Sequence, residues 1–304
     1  SINSEILGKS KAFKSKAIVI GNFNLFKSQL KILKIKRKLK KITKIEDIKK
    51  FNKTLHVLDI PLKFKNPFSV SVKDSSIYVK KCLMKGHELC LDKKVRGMVN
   101  CAINKKNLFK DKNIGVTEFL AHKNKVYKSE VMMIYNKKLS VVPLTTHIRI
   151  KEVSKNLKKS TLIKKINILN QYYLKYFEKK PRIAVLGLNP HNYELRKNSE
   201  ETKIILPALR ILKKRMKISG PYPSDTIFLK ENLKKFDVVI GMFHDQVLTP
   251  FKALFGFDAI NITFGLPYLR MSPDHGVAED KKKLKVSNPQ SLNRCIDTIF
   301  KLSK

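Results

Sequence analysis

The sequence predicts an α/β protein built on a mainly parallel sheet, and three observations predict it. Hydrophobic residues make up 42% of 304 residues, enough for a sizeable core. Short apolar runs such as 183-IAVLGL-188 and 238-VVIGM-242 recur between charged segments, as buried strands do. From residue 151 onward such runs alternate with stretches of helical periodicity, the pattern of a parallel sheet whose ligand site lies at the strand C-terminal ends. The length suits one large domain or two packed lobes.

The opening, 1-SINSEILGKS-10, starts a helix with Asn3 or Ser4 as N-cap, and 17-AIVIGN-22 is a strand. Residues 27–50 are ambiguous, because 30-LKILKIKRKL-39 mixes alternation with three- and four-residue spacing. Between about 51 and 146 short β-rich segments dominate: 54-TLHVLDI-60, 75-SSIYVKKCL-83, 97-GMVNCAI-103, 131-VMMIYN-136 and 140-SVVPLTT-146. Leu157, Ile163, Ile166, Leu169, Tyr172, Tyr173, Tyr176 and Phe177 then mark a long amphipathic helix. A strand, 182-RIAVLGL-188, is stopped by Asn189–Pro190, and a second helix covers about 199–216, ending before Gly220–Pro221. Strands 237-DVVIGM-242 and 259-AINITF-264 complete the pattern, which contains no internal repeat.

A formal charge of +41 invites a nucleic-acid reading. Its distribution argues against one. Residues 27–50 hold eleven Lys or Arg against two acids, whereas residues 236–277 hold only Lys252 and Arg270 against four aspartates. The excess is lysine spread over solvated helix faces and loops rather than a binding stripe. Cys82, Cys90, Cys101 and Cys295 match neither a zinc knuckle nor a CxxC pair and read as reduced, partly buried thiols. Apolar stretches all fall short of the ~20 residues needed to span a bilayer, so a cytoplasmic protein without membrane partners is expected.

Three of seven histidines directly follow apolar strand-like runs: His147 after 140-SVVPLTT-146, His191 after 183-IAVLGLNP-190, and His244 after 238-VVIGMF-243. Strand ends converge in a parallel sheet, and three neutral imidazoles suit a divalent transition metal with an open position for a substrate oxygen. Asp245 is either a turn residue or the group that orients His244. Asp225, beyond the Gly220–Pro221 turn, either caps a helix or joins the metal. His56, His87 and His122 are structural or surface residues. Lys252, Asn261 and Arg270 are two cations and an amide in the one long region poor in basic residues, as recognition of a phosphate or carboxylate requires.

The motifs 117-TEFL-120, 145-TTHI-148, 187-GLNPH-191, 220-GPYPSDTIF-228, 242-MFHDQ-246, 261-NITFGLPYLR-270 and 274-DHG-276 resemble those of the 4-hydroxythreonine-4-phosphate dehydrogenase family, over nearly the whole chain. The resemblance implies the two-lobed fold of the isocitrate and isopropylmalate dehydrogenases, with lobes of 1–146 plus 260–304 and of 147–259 around a cleft. It implies NAD bound without a Rossmann GxGxxG, and a divalent metal (Zn, Mg or Co) on His147, His191 and His244. Substrate contacts from Thr117, Lys252, Asn261 and Arg270, a cofactor contact from His275, and a homodimer with shared active sites are implied too. The implied reaction is oxidation of 4-phosphooxy-L-threonine at C3, then decarboxylation to 3-amino-2-oxopropyl phosphate, in pyridoxine 5'-phosphate biosynthesis; no residue stands out as the base.

Departures from the family pattern open one alternative, a non-catalytic homologue, and the charge of +41 keeps a second, a basic nucleic-acid-binding protein. The family's first strand has no counterpart in the sequence given, Asn3 and Ser4 of 1-SINSE-5 occupy the Gly-Pro places of the loop that follows it, Val116 stands where the family has histidine, and the loops 192-NYELRKNS-199 and 281-KKKLKV-286 lack the usual glycines. Such losses fall hardest on loops that need positive φ.

Overall fold

The computed structural model describes residues 2–11, 17–51, 53–104, 108–109, 115–126, 128–256, 258–274, 276, 284 and 286–302. In chain order the strands are β1 (Ile18–Gly21), β2 (Leu39–Ile42), β3 (Leu55–Asp59), β4 (Gly97–Val99), β5 (Val131–Tyr135), β6 (Ser140–Pro143), β7 (Ile183–Leu186), β8 (Ile218–Tyr222), β9 (Val238–Gly241), β10 (Ile260–Phe264) and β11 (Leu269–Pro273). The principal helices are α1 (Asn3–Lys9), α2 (Phe23–Ile32), α3 (Val72–Leu91), α4 (Val116–Lys123), α5 (Lys159–Phe177), α6 (His244–Phe255) and α7 (Gln290–Leu302). The chain divides into two units, Ser1–Val116 with Pro267–Lys304, and Thr117–Leu266. Residues 117–146 and 260–266, grouped by sequence with the first lobe, belong to the second unit, where β6 pairs with β9.

In the first unit β3 lies between β1 and β2, all parallel, and β4 pairs in parallel with β11. Helix α2 begins where the Asn22 side chain accepts the Leu25 N–H at 2.8 Å, a standard N-cap. Its Phe26 and Leu30 join Ile6, Leu55, Val57, Leu292 and Ile296 in the core. The ambiguous stretch 27–50 is thus part helix and part edge strand.

The strand expected over 75–83 is instead part of α3. Ser71 Oγ accepts the Asp74 N–H at 3.0 Å, and the buried residues Leu83, Gly86, His87, Leu89 and Cys90 recur at helical spacing. The local β propensity of Ile77, Tyr78 and Val79 yields to that cap and to burial of one face.

Among the described residues one side of β1 and one side of β4 have no strand partner, each standing at the end of its sheet. Both edges line one cavity of about 1150 Å³, walled mostly by apolar groups that include Val19, Ile20, Val99, Leu292, Ile296 and Ile299. Asn3 Nδ2 donates to Ala102 O at 2.8 Å, fixing the start of α1 beyond the C-terminal end of β4.

In the second unit the strand order is β10-β5-β6-β9-β7-β8. Pairing is parallel from β6 to β8, and β5 alone runs against the rest. Strands β6, β7 and β9 are buried at every position, which explains their unbroken apolar runs. Helix α5 carries Leu162, Ile166, Leu169 and Tyr173 on its buried face. The helix expected over 199–216 is a π turn at Glu201–Ile205 followed by a helix over Leu206–Leu212, with Pro207 near the start of the latter, where its missing N–H is tolerated. Gly220–Pro221, expected as a turn, lies within the outermost strand β8, a position that tolerates proline. All four cysteines are free thiols. Among the described residues no helix is long and apolar enough to cross a membrane.

Candidate active site at the strand ends of the second unit

The strands that precede the three histidines are consecutive neighbours, β6, β9 and β7, all parallel. Their C-terminal ends therefore emerge side by side, roughly 5 Å apart from one strand to the next. Side chains tie these ends together. Thr145 Oγ1 donates to Met242 O at 2.7 Å, joining the β6 end to the β9 end. Gln246 accepts the Met242 N–H through Oε1 and donates through Nε2 to Gly187 O, each at 2.7 Å, joining the β9 end to the β7 end. Gly241 leaves room for this strut, because a Cβ there would stand 2.9 Å from Gln246 Oε1.

His147 and His244 face each other with ring centroids 5.9 Å apart. His244 is the first residue of α6, and its Nδ1 lies 2.6 Å from Asp245 Oδ1. His147 Nδ1 lies 3.9 Å from Glu118 Oε1. In both rings Nδ1 is turned to a carboxylate, as it is at many metal-binding histidines, where Nε2 is the ligating atom. His147 is held at φ +52°, a left-handed conformation uncommon for histidine.

His191 follows Asn189–Pro190 on an exposed loop in which residues 191–195 all have φ between 47° and 56°. This loop thus adopts the left-handed backbone that glycine favours without containing a glycine. Its root is firm. Glu201, fully buried, accepts the N–H groups of Leu188 and Asn189 at 2.8 and 2.9 Å. Burial alone would raise the Glu201 pKa, but the hydrogen bonds from Asn189 and Leu188 outweigh it and hold the carboxylate ionised. Among the described residues no three His, Cys, Asp or Glu side chains are gathered closely enough to hold an ion. Of the three predicted ligands the structure brings His147 and His244 together, a pair whose donor chemistry suits an ion, while His191 lies on the loop that follows the adjoining strand β7.

Lys252 lies on α6, eight residues and so roughly 12 Å of helix beyond His244. Asn261, on β10, has a buried side-chain oxygen with no hydrogen-bond partner. Thr117 opens the second unit on the first turn of α4, after Val116, which is buried. Arg270 belongs to the first unit, where it is buried and its Nε donates to Asn100 Oδ1 at 2.7 Å. Asp225 is exposed in a turn over 224–228 and caps no helix; the following short helix, Lys230–Leu233, is preceded by Leu229. His275 lies outside the described residues. His87 is buried with Nδ1 3.0 Å from the Tyr268 hydroxyl. Sequence reasoning passed over Gln246, Glu201, Thr145 and Glu118, whose roles depend on strand neighbours that spacing does not reveal.

The class these features define is an α/β enzyme with the isopropylmalate dehydrogenase-like fold. The chain belongs to the family of the pyridoxal phosphate biosynthetic protein PdxA, whose family model matches residues 14–299. It is 36% identical to the 4-hydroxythreonine-4-phosphate dehydrogenase of Aquifex aeolicus over 97% of this chain and 93% of that protein. It is 34% identical to the D-threonate 4-phosphate dehydrogenase of Salmonella typhimurium, over 74% of this chain and 71% of that one. The crystal structure of 4-hydroxythreonine-4-phosphate dehydrogenase from Klebsiella pneumoniae superposes with a TM-score of 0.86 at 27% identity, covering 99% of this chain and 93% of its own. The relatives' names support dehydrogenase activity, oxidation of the kind this family carries out.

Proposed function

We propose that this chain oxidises 4-phosphooxy-L-threonine at C3 with NAD as hydride acceptor, and that the resulting β-keto acid loses its carboxylate to give 3-amino-2-oxopropyl phosphate, for pyridoxine 5'-phosphate biosynthesis. The observation that carries this reading is the set of three tied strand ends, each bearing a histidine. His147, His191 and His244 would hold a divalent ion, Zn, Mg or Co, through imidazole nitrogens. When bound, the ion supplies Lewis acidity to the substrate hydroxyl and NAD supplies the hydride acceptor. Gln246 and Thr145 keep the histidine-bearing ends in register, so orientation is built in before substrate arrives. Lys252 offers a cation for an anionic end of the substrate, and Asn261 Oδ1 an acceptor for a substrate N–H or O–H. Thr117 and Arg270 are assigned substrate contacts and His275 a cofactor contact on the family resemblance, as are a homodimer with shared active sites and a cytoplasmic location.

The test is NAD reduction with the phosphorylated hydroxythreonine, before and after chelation. Activity that chelation abolishes and added divalent ion restores supports the reading. His244→Ala should remove turnover while leaving the fold intact; full turnover by that variant would sink the metal assignment. D-threonate 4-phosphate belongs in the same assay, because one relative is named for it. A folded chain inert on both substrates would favour the non-catalytic alternative, for which the buried Val116 and the glycine-free left-handed loop speak.

A further inference from the structure

We propose that Glu118 is a positioning residue for His147, with Lys165 holding the backbone that leads to it. The inference rests on the reading that His147 is an ion ligand. Glu118 stands in the first turn of α4, and its Oε1 is the carboxylate oxygen facing His147 Nδ1 at 3.9 Å. That separation is about 1 Å longer than a hydrogen bond, a looseness common where the bound partner is what draws a site together. Glu118 Oε2 is buried and has no hydrogen-bond partner.

A buried carboxylate oxygen without a donor is costly unless a cation stands near. Lys165, on α5, is that cation. Its Nζ donates to Leu144 O at 2.9 Å, three residues before His147. Burial pulls the Lys165 pKa down, and the charges of Glu130 and Glu118 pull it back up. Glu130 Oε2 is likewise buried and unpartnered, and the charges of both carboxylates act on the one ammonium. The segment 144–147 is therefore bracketed twice. Lys165 holds its backbone, and Glu118 faces its imidazole. The bracket steadies a residue kept at φ +52°, a left-handed backbone that costs a non-glycine residue some strain.

The second imidazole of the pair shows the same device in closed form, Asp245 Oδ1 at 2.6 Å from His244 Nδ1. A carboxylate at Nδ1 fixes the tautomer with Nε2 unprotonated and raises its basicity. Neither Glu118 nor Lys165 needs to touch substrate for this role.

The experiment measures Zn²⁺ affinity of the chelator-stripped full chain by calorimetry, alongside its melting temperature without ion. Glu118→Ala is expected to weaken Zn²⁺ binding by about 10- to 100-fold with little change in melting temperature. Glu118→Gln, whose amide oxygen still accepts from Nδ1–H, should stay within about threefold of wild type. Lys165→Met should lower both affinity and melting temperature, since it strands two buried carboxylates. Wild-type affinity in Glu118→Ala, or equal losses of affinity and melting temperature in both Glu118 variants, would overturn the proposal. Should Glu118→Ala not fold, a Glu118→Gln chain that binds as weakly as His147→Ala overturns it instead. Failure of the underlying reading looks different: wild type then binds no Zn²⁺, or His147→Ala and His244→Ala bind as well as wild type.

Discussion

Gln246 bridges to Gly187 across two parallel strands, donating from Nε2 to the Gly187 carbonyl at 2.7 Å while its Oε1 accepts the Met242 N–H. Both bonds lie beside the histidine-bearing ends of β7 and β9. Gln246→Ala leaves an N–H and a carbonyl without partners, and each costs about 1–3 kcal/mol when buried. The expected loss in urea unfolding is about 2 kcal/mol. Gln246→Glu should keep the bond to Met242 N but set a carboxylate against the Gly187 carbonyl, so it should recover little of that loss.

Asp237, just before β9, receives bonds from Lys179 at 2.8 Å and from Arg182 at 3.2 Å. Burial would raise its pKa, yet the bonds from Arg182 and Lys179 outweigh it and lower the value to about 2. A depressed carboxylate pKa stabilises the fold above the unfolded value of 3.8, and the benefit is lost as pH falls toward 2. Because the two cations are about half exposed, the contribution is discounted to about 1–2 kcal/mol. Asp237→Asn should be less stable than wild type by that amount at pH 6, with the gap closing between pH 4 and pH 2. A gap that does not change with pH would remove this assignment.

The loop after β7 places Leu195 at φ +55° with its side chain exposed. A left-handed backbone costs a non-glycine residue roughly 1–2 kcal/mol, against roughly 0.5–1 kcal/mol of extra chain entropy lost by glycine. Leu195→Gly is therefore expected to stabilise the chain by a few tenths to about 1 kcal/mol, read as a small rise in thermal midpoint. Destabilisation would show that the exposed leucine makes a contact worth more than the strain.

Among the described residues strands β1 and β4, which line the cavity of the first unit, each pair with a strand on one side only. Amides of Ile18–Gly21 and Gly97–Val99 that point into it should exchange with deuterium far faster than those of β7 and β9, which pair on both sides. Equal protection in the two sets would mean that the edges are covered in solution.

Much of the second unit is legible in the sequence because its strands are buried on both faces and read as unbroken apolar runs bounded by histidines. The parallel sheet is legible, but neither the neighbour order of β6, β9 and β7 nor the struts between them can be read from spacing. Gln246 and Thr145 look like ordinary polar residues until their partners on other strands are known. The first unit is less legible. Residues 75–83 carry an Ile-Tyr-Val run that reads as strand, and only the Ser71 cap and the buried face of α3 reverse it. Gly220–Pro221 reads as a stop because the sequence does not reveal that β8 is the outermost strand of its sheet. Glu118 and Lys165 lie 47 positions apart, and nothing in their spacing suggests one cluster.

The open edges of β1 and β4 give the lysine excess a second meaning. An unpaired strand edge is a template on which another chain can add, and proteins commonly guard such edges with charge. Here the formal charge of +41 adds a general repulsion between copies that meet edge to edge. That protection is only as long as the Debye length, about 10 Å at 0.1 M salt and about 3 Å at 1 M. Added salt should therefore work against this molecule, shortening the distance over which copies repel until edge can meet edge, so that its solubility is set by ionic strength more than by temperature.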